Sequence, residues 1–179
     1  MRVPLRAARI RGMGDFLQGD GLKPAMNTWN RFWRLSGFER GVALEASVVM
    51  TASWVGLRLA GFRRWKSALD GLAPPTTPAQ VSERDQLDAA SRIARVQHSV
   101  ARRLFFQPNC LEQSLTLLWL LQTRGIAAEL RLGARKEAGR FEAHAWVERN
   151  GEVLTEAGEN HRHFVPFDGP LGSMETETP

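Results

Sequence analysis

Apolar positions along the chain recur first at helical and later at strand spacing. Residues 38–60 are apolar on nearly all sides, which predicts a central helix covered by other elements. Gly61 is expected to end this helix, and the proline-rich residues 72–78 predict a loop because prolines at that density cannot continue a helix. The segment from Ser82 to Asp85 resembles a capping box and predicts the start of a second helix with one apolar stripe.

A third helix is predicted to begin directly after Pro108. Asn109 is a favourable N-cap residue, so Cys110 would be the first residue of this helix. Gly125 follows the last apolar residue, at a position where glycine commonly ends a helix. The inner face of the helix is expected to consist of Leu111, Leu115, Leu118 and Leu121.

After the third helix the apolar period changes from 3.6 to 2, which predicts strands. Residues 126–132 form the first strand, residues 133–140 a polar connection and residues 141–148 the second strand, and a turn leads to a third strand over 152–156. Helices followed by an antiparallel β-meander indicate an α+β fold. Its helical N-terminal part precedes the helix that begins at Cys110, and this helix packs on the meander.

Charge and composition divide the chain into one domain with two tails. Residues 1–26 carry +3 of the net charge of +5 and six glycines or prolines without a period, which predicts a flexible basic extension. Residues 27–168 are predicted to form a single domain, helical over 27–105 and containing the third helix and the sheet over 106–168; residues 169–179 form a polar tail. Since the body is nearly neutral, no nucleic-acid partner is expected.

The sequence favours a cytoplasmic protein without a membrane span. Arginines occupy the opening segment where a signal peptide has its apolar region. The uncharged stretch 46–57 is shorter than the roughly 20 residues that a spanning helix needs. The single cysteine, Cys110, excludes an intramolecular disulfide, fits a reducing cytosol and excludes a Cys-rich zinc module. No metal or other cofactor is expected.

Cys110 and His144 are the first candidates for chemistry. The N-terminus of a helix favours an anion, so it would stabilise a thiolate at Cys110, and its free N–H groups would bind the oxyanion of a tetrahedral intermediate. The alternative is that this lone cysteine is a small buried hydrophobic residue. His144 favours the catalytic interpretation, because a general base at this strand position can lean toward the N-terminus of a helix packed on the sheet.

A carboxylate is needed to orient the imidazole, and the register of the second hairpin decides which one is available. A two-residue turn at 150–151 would pair His144 with Ala157 and send Glu156 to the other face of the sheet. A three-residue loop over 149–151 pairs His144 directly with Glu156. We favour the second register, which makes Glu156 the predicted orienting acid.

Other polar residues are weaker candidates. Glu159 and Asp168 are alternative orienting acids, and Gln107 and Asn109 are considered as donors to an oxyanion. The two histidines of the segment 161–163 are typical of a solvated polar segment and do not predict a metal site.

Two segments together resemble the transglutaminase-like leader peptidases of lasso-peptide biosynthesis. The first runs from Cys110-Leu-Glu-Gln-Ser-Leu to Arg124-Gly-Ile, and the second is His144-Ala-Trp-Val-Glu, with Asn150-Gly-Glu-Val-Leu after it. The motifs are specific in combination, and the resemblance covers roughly residues 27–168. It implies a papain-like Cys–His–acid site that cuts a ribosomally made precursor peptide at the junction of leader and core.

The resemblance also implies roles and partners. Cys110 matches the nucleophile and His144 the base, while Glu156 falls where the family usually has an aspartate. The implied partners are the precursor peptide, a separate winged-helix protein that recognises the leader, and an asparagine-synthetase-like macrocyclase that receives the core. The alternative function is a non-catalytic transglutaminase-like scaffold that only holds a peptide, and the intact Cys, His and acid argue against it.

Overall fold

The computed structural model describes residues 35–73, 82–137, 140–155 and 163–167, and its helices and strands belong to the compact unit Gly37–Pro179. The helices are α1 (Gly37–Leu72), α2 (Glu83–Ala101) and α3 (Cys110–Gln122). The strands are β1 (Glu129–Glu137), β2 (Arg140–Arg149), β3 (Glu152–Val153) and β4 (Val165–Pro166). Three helices and a curled antiparallel four-stranded sheet confirm the α+β prediction. The predicted extension 1–26 and tail 169–179 lie outside the described residues.

Helix α1 is kinked at Gly61, where the sequence predicts its end. Gly61 has φ 75° and ψ 170°, a conformation that glycine adopts without steric cost and that separates two helical segments. Among the described helices, α1 alone is long and apolar enough to cross a membrane, judged by length and composition. Of the 18 residues that meet this criterion, 39% are buried inside the protein, as in a core helix.

The prediction that α1 is covered on all sides is wrong. One face packs against α2 and α3, and Val42 and Ala46 from this face are fully buried in the core. Several large apolar side chains on the rest of the helix are exposed, because the helices that contact α1, α2 and α3, leave them uncovered. These exposed side chains are Phe38, Leu44, Val48, Val55 and Leu59.

Helix α2 begins where the sequence predicts, at the N-cap residue Ser82. The Ser82 hydroxyl accepts a hydrogen bond from the backbone N–H of Asp85 at 3.2 Å. The apolar stripe of α2 then meets α1 and α3 in one core, which also receives Val147 from β2. The fully buried residues of this core are Val42, Ala46, Ala90, Ile93, Leu117, Leu120, Leu121 and Val147.

The sheet has the strand order β3-β2-β1-β4, and every residue of β1 pairs with a residue of β2. The predicted polar connection over 133–140 is therefore wrong, because β1 continues to Glu137. The polar residues of this segment are compatible with a strand since they pair on the sheet surface. Arg135 forms ion pairs with Glu137 at 3.0 Å and with Glu142 of β2 at 2.6 Å.

Strands β2 and β3 are joined by a two-residue turn. Asn150 (φ 49°) and Gly151 (φ 79°) both adopt the left-handed conformation that a type I′ turn requires, and Glu148 pairs with Val153. The prediction of a three-residue loop over 149–151 is therefore wrong. Asn-Gly takes up positive φ at low cost, and the twist of a type I′ turn matches that of the two strands.

The observed register removes the geometric reason for placing Glu156 opposite His144. In the described part of the hairpin the ladder follows the two-residue alternative, the register that sends position 156 to the other face of the sheet. Glu156 itself lies outside the described residues, as do Glu159 and Asp168. The identity of the orienting acid stays a prediction based on the family resemblance.

Candidate functional site

Cys110 is the first residue of α3, as predicted, and the turn that carries it is fixed by a capping box. The Asn109 side-chain oxygen accepts a hydrogen bond from the Glu112 N–H at 3.0 Å. In return, Oε2 of Glu112 accepts from the Asn109 N–H at 2.9 Å. Cys110 is half-buried. Its side chain therefore starts from a well-ordered helix end, where backbone N–H groups favour a negative charge.

A buried hydroxyl holds this end of α3 against β2. Ser114, one helical turn after Cys110, donates to the carbonyl oxygen of Ala145 at 3.0 Å. Farther along α3, Leu118 shares the core with Val147. The first turns of α3 are therefore fixed to β2 at Ala145, the residue that follows His144.

The ring of His144 lies in a layer of aromatic side chains. The residue is half-buried with a buried Nε2 atom. Its ring centroid is 5.1 Å from that of Phe164 and 6.0 Å from that of Trp146. The guanidinium of Arg135 covers the Phe164 ring at 4.9 Å. By strand alternation the imidazole leaves β2 on the face opposite Val147, which packs in the core together with leucines of α3. The aromatic neighbours limit the orientations that the imidazole can adopt.

Gly133 lies directly opposite His144 on β1 and lets β4 approach closely. A Cβ atom at this position would lie 2.8 Å from the carbonyl oxygen of Val165 and 2.9 Å from the Trp146 ring. Trp146 is 1% exposed, so its ring has little room to move. Glycine is therefore required for the close packing beside His144.

We expect Gly133→Ala to destabilise the protein by about 1–3 kcal/mol, because the added methyl group has to displace backbone or a packed ring. Urea unfolding followed by circular dichroism measures the loss. Gly41→Ala is the matched control: nothing lies within 4 Å of a Cβ there, and alanine favours the helix. A Gly133→Ala variant as stable as Gly41→Ala would contradict the packing described above.

The sequence prediction missed an ion pair in the first turn of α3, formed by Glu112 and Arg58. Glu112 is buried, and its Oε1 accepts a hydrogen bond from Arg58 of α1 at 2.9 Å. Two signals in the sequence point to them. Asn109 and Glu112 have the spacing of a capping box. Arg58 is the one charged residue between Glu45 and Gly61 in the apolar part of α1.

The weaker candidates are placed as follows. The side-chain oxygen of Asn109 caps α3, and Gln107 is exposed in the segment before it. His163 is exposed, and His161 lies outside the described residues. Within the part of the chain that the structure describes, no group of three or more His, Cys, Asp or Glu residues is placed to hold a metal ion.

Comparison with protein families gives one match. The family described as Transglutaminase-like superfamily matches residues 53–167, which is more than half of the chain. The matched segment includes Cys110, His144 and all four strands. No curated protein matches, and no solved structure matches.

Proposed function

The chain belongs to the transglutaminase-like superfamily, whose members are often cysteine peptidases, and we propose that it removes the leader from a ribosomally made, lasso-type precursor peptide. The observation that carries the proposal is the position of Cys110. It is the first residue of a capped helix, and Ser114 of this helix bonds the carbonyl oxygen of Ala145, the neighbour of His144 in β2. The resemblance of both motifs to lasso leader peptidases supports this substrate class.

In the proposed reaction, the Cys110 thiolate attacks the carbonyl carbon of the last leader residue. The oxyanion that forms accepts hydrogen bonds from N–H groups of the first turn of α3. The C–N bond then breaks, and the leaving amine of the core takes a proton from the His144 imidazolium. Water attacks the thioester, His144 accepts its proton, and the leader acid departs as the thiolate returns.

The proposal includes partners and a location. A separate winged-helix protein presents the leader, and an asparagine-synthetase-like macrocyclase accepts the released core, both in the cytoplasm. The experiment is to incubate the full chain with the precursor peptide and the leader-binding protein encoded beside its gene, and to follow both products by mass spectrometry. We expect one cut at the leader–core junction. A precursor that stays intact after incubation with the full chain and the leader-binding protein would contradict the proposed function.

Glu156 is proposed as the acid that orients His144, since it falls where the resembling family has an aspartate. We expect Glu156→Gln to lower the cleavage rate by between about tenfold and the roughly 10⁴-fold loss known for an orienting acid in a serine triad. Glu156→Asp keeps the carboxylate and is expected to lose less. Glu159→Gln and Asp168→Asn are measured beside it. Normal cleavage by Glu156→Gln together with failure of one of these would assign the role to that other carboxylate.

A further inference from the structure

The Glu112 carboxylate is buried in the same helical turn as Cys110, and both of its oxygens are engaged. The side chain is 1% exposed; Oε2 accepts from the Asn109 N–H and Oε1 from Arg58 Nη1, each at 2.9 Å. A buried carboxylate without a partner would be strongly unfavourable. Arg58, which lies 54 residues earlier in the chain, supplies the positive charge.

Arg58 is itself held by α1. Its Nη1 also donates to the Trp54 carbonyl oxygen at 2.7 Å, and its guanidinium lies 4.5 Å from the centroid of the Trp54 ring. The Trp54 ring in turn stacks on Phe106 at a centroid distance of 5.0 Å. Phe106 lies in the segment that leads into α3. A single turn of α1 therefore contacts both the buried carboxylate and the chain that precedes the nucleophile.

Glu112 and a Cys110 thiolate would be two negative charges at one helix N-terminus. Both lie in the field of the same helix dipole, so an uncompensated carboxylate would disfavour the thiolate. Gln97, the α2 residue that bonds the first turns of α3, is uncharged. Arg131 and Arg135 are occupied by ion pairs with glutamates on the sheet. His98 follows Gln97 on α2, and His144 precedes Ala145, which accepts from Ser114, on β2.

From these contacts we infer that Arg58 is a positioning residue: it cancels the charge of Glu112 and so leaves the dipole of α3 available to the Cys110 thiolate. The inference rests on the proposed function only in taking Cys110 as the nucleophile. Glu112 holds the helix end in place through the capping box, and Arg58 removes the electrostatic cost of using a carboxylate for that purpose.

The test is the rate of alkylation by iodoacetamide as a function of pH. The chain has one cysteine, so the rate reports Cys110 alone. We expect Arg58→Met to lower the rate at neutral pH by about tenfold and to move the midpoint of the profile to higher pH. Glu112→Gln keeps a capping side chain and removes the charge. The pH midpoint of its alkylation profile is therefore expected to equal that of the parent protein or to lie below it. The double variant is expected to recover the parent profile, which a purely structural role for Arg58 would not produce.

Arg124→Met is the matched control. Arg124, two residues after the end of α3, forms another ion pair with α1, to Glu45 at 2.8 Å. Its loss is expected to leave the profile unchanged. An Arg58→Met profile that superimposes on that of the parent protein, or a double variant without recovery, would overturn this inference alone. A parent protein that reacts no faster than glutathione at neutral pH would overturn both this inference and the proposed nucleophile.

Discussion

Cys110→Ala is expected to abolish leader removal while leaving the fold and the binding of the precursor intact. The substitution removes only the sulfur atom of a half-buried residue, and the capping box formed by Asn109 and Glu112 does not involve that atom. Without the thiolate there is no covalent route to the acyl-enzyme, so the loss should be complete within the sensitivity of the assay.

The measurement is the rate at which the leader and the core appear, followed by mass spectrometry, together with a thermal unfolding curve. Cys110→Ser serves as a control for volume, and we expect it to be inactive too, because a serine hydroxyl is far less acidic than a thiol. Cleavage by Cys110→Ala at one tenth or more of the parent rate would rule out the covalent mechanism.

His144→Ala is expected to be nearly as severe, because the imidazole moves the proton at both steps of the proposed reaction. Nucleophile and base act as a unit, so the double variant with Cys110→Ala should be no worse than the single variant. His163→Ala is the matched control, since His163 is exposed and has no role in the proposed reaction. A His144→Ala variant that cleaves as fast as His163→Ala would exclude His144 as the base.

The position of Cys110 at the start of α3 could be predicted because helix capping is local. Pro108 prevents a helix from running through position 108, Asn109 accepts from the first turn, and Cys110 follows as the first helical residue. The same holds for Ser82 at the start of α2. Each of these helix ends depends on residues within four positions, so the sequence determines it without knowledge of the rest of the fold.

The sequence predictions that proved wrong have two causes. Some features depend on residues far away in the chain, and one turn was assigned against its local sequence. The favoured loop over 149–151 placed an acid opposite His144, but the local chemistry of Asn150-Gly151 determines the turn. Strand β1 extends beyond its apolar pattern because β2 supplies partners for its charged residues. Strand β4 has two residues, too few to show a period.

Sequence periodicity could not predict two further features, which are the exposed face of α1 and the Arg58–Glu112 ion pair. A helix that is apolar nearly all round gives no sign of which side the core will take. The ion pair joins residues 54 positions apart, and their approach depends on how α1 packs against α3.

The most direct test of the central claim is the intact mass of the protein during turnover. The full chain is mixed with the precursor peptide and the leader-binding protein, the reaction is stopped with acid, and the mass is recorded. We expect an adduct equal to the leader less one water, located on Cys110 by peptide mapping and removed by hydroxylamine, as a thioester would be. Cleavage of the precursor with the adduct on another residue, or cleavage that continues in Cys110→Ala, would contradict the assignment of Cys110 as the nucleophile.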